Sequence, residues 1–191
     1  MKKMLGYDNL WKAIIRPPRA SYETKDLGPE KFLVHSSEGV SFKVQRTDFT
    51  MVNSRGNDIK CSHFEPYEEE RRYKNLPCVI YLHGNSSCRI ESLECIHYLL
   101  PQNITLFCFD FAGCGNSGGE YISLGWFERE DVAMIVEHLR DKRRVNSIAL
   151  WGRSMGAVTA LLHADRDHTI AGLVLDSPFS NLSKLVNELA Y

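Results

Sequence analysis

Four uninterrupted apolar runs constrain this chain more than any other feature. They are PCVIYLH (77 to 83), ITLFCFD (104 to 110), NSIALWG (146 to 152) and IAGLVLD (170 to 176). A strand with one wet face alternates apolar and polar residues, whereas an unbroken apolar strand is buried on both faces, as in a parallel sheet. The intervening segments carry stripes at helical spacing: Leu93, Ile96 and Leu99 or Leu100; then Val132, Ile135, Val136 and Leu139; then AVTALLHA after residue 156. Upstream, FKVQRTDFTMV and DIKCSHFEPY flank residues 53 to 57, NSRGN, which reads as an antiparallel hairpin closed by a glycine-containing loop. The run EEERRYKN that follows reads as a solvated loop. A hairpin followed by β-α-β units predicts an α/β, doubly wound, mostly parallel sheet. Ligands of such sheets bind beyond the carboxyl ends of the strands, so the chemistry is expected directly after each run.

Composition removes several functions. With 23 basic against 24 acidic side chains the chain lacks the cationic surplus that phosphate-backbone binding needs, so nucleic acid is set aside. The six cysteines form no CxxC, and no Cys/His cluster has zinc spacing. Several lie in apolar runs, where a free thiol packs as a small hydrophobe, which points to a reducing compartment. No stretch approaches the ~18 apolar residues of a membrane span, so the expected location is cytoplasmic. Residues 4 to 16 place Met4, Tyr7, Trp11 and Ile14 or Ile15 on one helical face and stop at Pro17-Pro18. That helix is expected to pack on the body of the protein, with peripheral membrane contact as its second use. Residues 1 to 37 thus read as an amphipathic helix and an extended segment, and 38 to 191 as the α/β core.

Three glycine motifs compete for the site. Gly113-Cys114-Gly115-Asn116-Ser117-Gly118 matches the dinucleotide fingerprint G-x-G-x-x-G after a strand. Its context is wrong, because helical periodicity resumes only near Trp126, leaving no helix start to hold a pyrophosphate. Two segments match G-x-S-x-G: Gly115 to Gly119 around Ser117, and Gly152 to Gly156 around Ser154. A nucleophile elbow needs a strand before the serine and a helix after it, with small residues two positions either side. Ser117 has no helix after it. Ser154 has SIALW before and AVTALLHA after, so Ser154 is the candidate nucleophile and Gly152 and Gly156 its elbow glycines. His83-Gly84-Asn85 follows the first run, where the other half of an oxyanion hole belongs, so the expected donors are the backbone N–H groups of Asn85 and Met155. His83 is expected to fix that loop rather than act as base.

Taken together, YLHGNS, DFAGCGNSGG and LWGRSMGAV resemble the α/β-hydrolase superfamily, in its serine-aminopeptidase (S33)-like, lysophospholipase-like branch. The IRPPR start, SLGW and DS-x-FSNL resemble uncharacterised plant and protist members. The resemblance implies that Asp110, Gly113, Gly115 and Ser117 shape a loop beside the site, and that no metal or organic cofactor is needed. Chain order in the family is Ser, then Asp or Glu, then His. Of the histidines after Ser154, His163 lies about 13 Å along the following helix, and His168 precedes the last run at the opposite end of the sheet. Asp176 ends that run on the correct edge and is the candidate acid, its alternative being a structural or capping role.

The family's acid and histidine follow a seventh and an eighth strand, so six strands read as a core truncated after the sixth. The expectation is therefore a serine hydrolase of an ester, thioester or amide, acting on a small or lipid-like acyl substrate. Without the triad histidine the 191 residues alone would be nearly inert. The alternative is a complete, non-catalytic binding or regulatory module.

Overall fold

The computed structural model describes residues 15 to 36, 39 to 142, 144 to 182 and 184. The amphipathic helix expected over residues 4 to 16 falls almost wholly outside them. Seven strands form one sheet: β1 (Lys31–His35), β2 (Ser41–Val52), β3 (Asp58–Pro66), β4 (Leu76–Leu82), β5 (Thr105–Phe109), β6 (Val145–Arg153) and β7 (Gly172–Asp176). Their spatial order is β1-β2-β3-β5-β4-β6-β7. The first three pairings in this order are antiparallel and the last three parallel.

The hairpin β2–β3 closes as expected, with Val52 opposite Asp58 and Gly56 at φ 77°. A strand absent from the sequence reading, β1, pairs with β2 from Lys31 opposite Gln45 to His35 opposite Ser41, so the sheet crosses the expected boundary at residue 37. Five residues on an edge, only one fully buried, give too short an alternation to stand out.

β5 shows why its sequence is continuous rather than alternating. Phe107 and Phe109 point into a core with Ile80, Leu82, Ile135, Leu139 and Leu150. Leu106 and Cys108 point the opposite way, into a core with Tyr81, Cys95, Ile96 and Leu100. Helix Glu128–Lys142 buries the expected stripe of Val132, Ile135, Val136 and Leu139. The helix expected after β4 is instead composite: 3-10 turns at Arg89–Cys95 and Leu100–Gln102 flank one α-turn, Ile96–Leu99. Pro101 has no N–H and ends it. The expectation that all four runs are buried on both faces fails at β7, where Leu173 and Val174 are exposed. β7 is the sheet's last strand among the described residues, and its described cover is confined to the side of helix Met155–Ala164.

All six cysteines are free and buried. Burial pushes the thiols of Cys78, Cys108 and Cys114 up to about 12, the opposite of what a thiolate nucleophile requires. No helix among the described residues is long and apolar enough to cross a membrane.

Candidate active site

Strand order reverses at β4, which lies between β5 and β6, so the crossovers leave β4 in opposite directions and open a crevice at its carboxyl end. Register then places the loops. Leu82 is opposite Gly152 and Arg153 opposite Asp176, so the chain two residues past β4 reaches Ser154. A Cβ built on Gly84 would stand 3.9 Å from that of Ser154.

Ser154 occupies the one-residue turn between β6 and helix Met155–Ala164, with φ 50° and ψ −112°. That left-handed backbone costs a non-glycine residue on the order of 1–3 kcal/mol. The turn is held by the Ser154 N–H donating to the Asp176 carbonyl at 2.7 Å and the Val158 N–H donating to the Ser154 carbonyl at 3.0 Å. The flanking glycines have a steric cause. A Cβ on Gly156 would overlap the Leu82 carbonyl oxygen, and one on Gly152 would overlap the Gly156 carbonyl. The Ser154 side chain makes no capping bond to its own helix. The N–H of Met155, first in that helix, has no carbonyl four residues back to bond. Met155 is buried and Asn85 exposed.

His83 has no accessible surface. Its Nε2 accepts from the Phe111 N–H at 3.1 Å, so its Nδ1 carries the proton and donates to the Gly84 carbonyl at 2.8 Å. Burial holds its pKa below the ordinary histidine value. Both nitrogens are thus committed to the loops after β4 and β5.

Asp110, fully buried, organises the second loop. It accepts from the Tyr22 hydroxyl at 2.6 Å, the Arg89 N–H at 2.7 Å and the Asn116 N–H at 2.9 Å. Burial and this carboxylate together push the Tyr22 phenol up. A Cβ on Gly115 would overlap the Asp110 carboxyl. Ser117, centre of the rival motif, donates to the Asp110 carbonyl at 2.6 Å and accepts from the Lys60 N–H at 2.9 Å. It is a buried staple between the loop and β3. Ser117→Ala is expected to cost about 1–3 kcal/mol of stability, read by denaturant unfolding, and to leave any serine-directed labelling unchanged. The dinucleotide fingerprint fails on the same geometry. The Gly113 N–H donates to the Gly118 carbonyl at 2.8 Å, the Gly118 N–H to the Asp58 carbonyl at 2.6 Å, and the next helix starts only at Glu128.

Asp176 ends β7 exposed. One carboxyl oxygen accepts from the Ser177 hydroxyl at 2.8 Å, and the other is 3.6 Å from Arg153 Nε. His163 lies on the helix after Ser154, 3.6 Å from Asp167, and burial lowers its pKa. His168 precedes β7 on the starting edge, where the Ala171 N–H donates to the Ile148 carbonyl at 2.7 Å. Neither comes to Ser154. Missing from the sequence reading was Glu91, which accepts from the Tyr81 hydroxyl at 2.9 Å and the Gly84 N–H at 3.3 Å. A lone glutamate in the segment after β4 carries no pattern that would single it out.

Residues 74 to 190, well over half of the chain, match the family model described as serine aminopeptidase, S33. The chain belongs to this family. The uncharacterized protein YqkD of Bacillus subtilis is 31% identical over 153 residues, covering 78% of this chain and 47% of YqkD. Lysophosphatidylserine lipase ABHD12 of Xenopus tropicalis is 25% identical over 159 residues, covering 79% of this chain and 39% of the lipase. The Pyrococcus furiosus esterase Pf2001 superposes with TM-score 0.67 at 26% identity, over 91% of this chain and 63% of the esterase. Acetyl xylan esterase 1 of Thermoanaerobacterium sp. JW/SL YS485 shares the fold with TM-score 0.61 at 21% identity. The S33 chain thus spans about half the length of the curated relatives it matches. The expected α/β-hydrolase fold and branch are borne out.

Proposed function

We propose that the protein is a serine hydrolase that cleaves an acyl ester through a covalent intermediate on Ser154. The observation that carries this reading is Ser154 itself: a strained serine at the start of a helix, between glycines that close backbone approach demands, with no capping bond on its hydroxyl. Ser154 Oγ attacks the substrate carbonyl carbon, its proton passes to a general base, and the carbonyl oxygen takes the electron pair. The resulting oxyanion is met by the N–H groups of Met155 and Asn85, each worth about 3 kcal/mol in the transition state. Collapse expels the alcohol, and water then hydrolyses the acyl-enzyme by the same steps.

The base is a histidine other than His83 or His163, whose surroundings fix them elsewhere. In this reading the base and its acid are supplied from chain additional to these residues, in keeping with the partial coverage of the relatives, and residues 1 to 191 alone turn over slowly or not at all. Asp176 then acts structurally, pairing with Arg153 and holding the Ser154 amide. Relatives named as lipases and esterases favour carbon–oxygen esters, including lipid-like ones, over amides. Neither metal nor organic cofactor has a step in this chemistry.

Pre-steady-state hydrolysis of a p-nitrophenyl ester series by the intact protein tests the proposal. A burst of p-nitrophenol equal to the enzyme concentration is expected, followed by slower turnover, with both lost in Ser154→Ala. Turnover surviving that substitution would refute it.

A further inference from the structure

Gly84 and Asn85 sit on a loop that no helix or strand constrains, yet the proposed oxyanion chemistry requires the Asn85 N–H to hold a fixed direction. His83 Nδ1 and the Ser87 N–H hold the Gly84 carbonyl, and Glu91 supplies the constraint on the Gly84 amide. Its Oε1 accepts from both the Gly84 N–H at 3.3 Å and the Tyr81 hydroxyl at 2.9 Å, which ties the loop to the carboxyl end of β4. Its Oε2 lies 3.9 Å from Arg153 Nη1, on the residue preceding Ser154. Arg153 in turn reaches Asp176, whose carbonyl accepts the Ser154 N–H. One carboxylate therefore touches both the loop after β4 and the last residue of β6, which precedes Ser154. Its side chain is 14% exposed, so its contacts with Gly84 and Tyr81 are sheltered, whereas Arg153 remains largely open to water. Burial and the adjacent carboxylate push the Tyr81 phenol up, so it remains a donor at any working pH.

We propose that Glu91 is a positioning residue of the oxyanion loop, acting beside His83: it fixes the Gly84 amide, and through Gly84 the Asn85 N–H, relative to Ser154. This rests on the hydrolase reading above. The critical property is an acceptor at the Oε1 position, not the negative charge, because a carboxylate near a developing oxyanion is itself unfavourable unless Arg153 offsets it. Glutamine retains that acceptor. Alanine removes it and leaves Gly84 held through its carbonyl, by His83 and Ser87.

The test is steady-state hydrolysis of a small p-nitrophenyl ester by the intact protein, alongside inhibition by an aryl boronic acid, which forms a tetrahedral adduct with an active serine. Wild type and Ser154→Ala serve as references: if wild type shows no Ser154-dependent turnover, the hydrolase reading fails and not this one. With turnover established, Glu91→Ala is expected to lower kcat about 10- to 100-fold with KM within about threefold, and to weaken the boronic acid by the same factor as kcat/KM. Glu91→Gln is expected to stay within about fivefold of wild type on both readouts. Glu91→Asp keeps the charge but withdraws the oxygen by one methylene, and should fall between. It decides alone if the alanine variant does not fold. Unchanged kcat and boronic-acid affinity in Glu91→Ala or Glu91→Asp, or Glu91→Gln as impaired as Glu91→Ala, would overturn the proposal.

Discussion

Gly156→Ala is expected to destabilise the protein by more than about 4 kcal/mol, enough to remove most of the margin of an ordinary domain. The added methyl would overlap the carbonyl oxygen of Leu82, and its carbon and the His83 carbonyl stand within 2.8 Å. These are main-chain atoms of the sheet edge, opposed by main-chain atoms of a helix, so no rotamer change relieves the clash. The close approach is what brings the helix start up against the ends of β4 and β6. Gly172→Ala is the control, because nothing lies within 4 Å of its Cβ position and its backbone is an ordinary strand. It should shift unfolding by no more than about 0.5 kcal/mol. Denaturant unfolding of both variants checks the pair. A Gly156→Ala protein melting near wild type would mean that the elbow is looser than its backbone indicates.

The second large effect concerns Ser154, where function and stability are expected to move in opposite directions. Ser154→Gly should lower turnover by about 10⁴- to 10⁶-fold, as for loss of a covalent nucleophile. The same substitution should raise stability by about 1 kcal/mol. Release of φ 50°, ψ −112° strain returns about 1–3 kcal/mol, less about 0.5–1 kcal/mol for the extra chain entropy of glycine. Ser154→Ala separates the two terms, since it removes the hydroxyl and keeps the strain: activity should fall equally while stability stays near wild type. Turnover and chemical denaturation of the three proteins check this. A Ser154→Gly variant less stable than Ser154→Ala would show that the turn stores no strain.

Much of this arrangement was legible in the sequence because it is local. The continuous runs at 77 to 83 and 104 to 110 announce a buried parallel sheet, and the strands begin and end within one residue of them. The stripe on helix Glu128–Lys142 follows from its 3.6 period alone. That Ser154, unlike Ser117, lies between a strand and a helix was also legible. What stayed hidden depends on partners far along the chain. β1 is a strand because β2 lies beside it, not because KFLVH insists on it. The role of Asp110 as acceptor for Tyr22, Arg89 and Asn116, which are up to 88 residues away, comes from the crossing of three loops. Glu91 meets Gly84 and Arg153 only because β4 and β6 run in register. The unbroken apolar run at 170 to 176 suggested both faces of β7 would be buried, but burial of an edge strand is a property of its neighbours.

The central claim, that Ser154 is the nucleophile, is tested most directly by the position of a fluorophosphonate adduct on the intact protein, located by peptide mass spectrometry. The account predicts a single adduct on the peptide containing Gly152 to Gly156, at Ser154, absent after denaturation before labelling and unaffected by Ser117→Ala. An adduct on Ser117 or any other residue, or labelling that persists in Ser154→Ala, would contradict it.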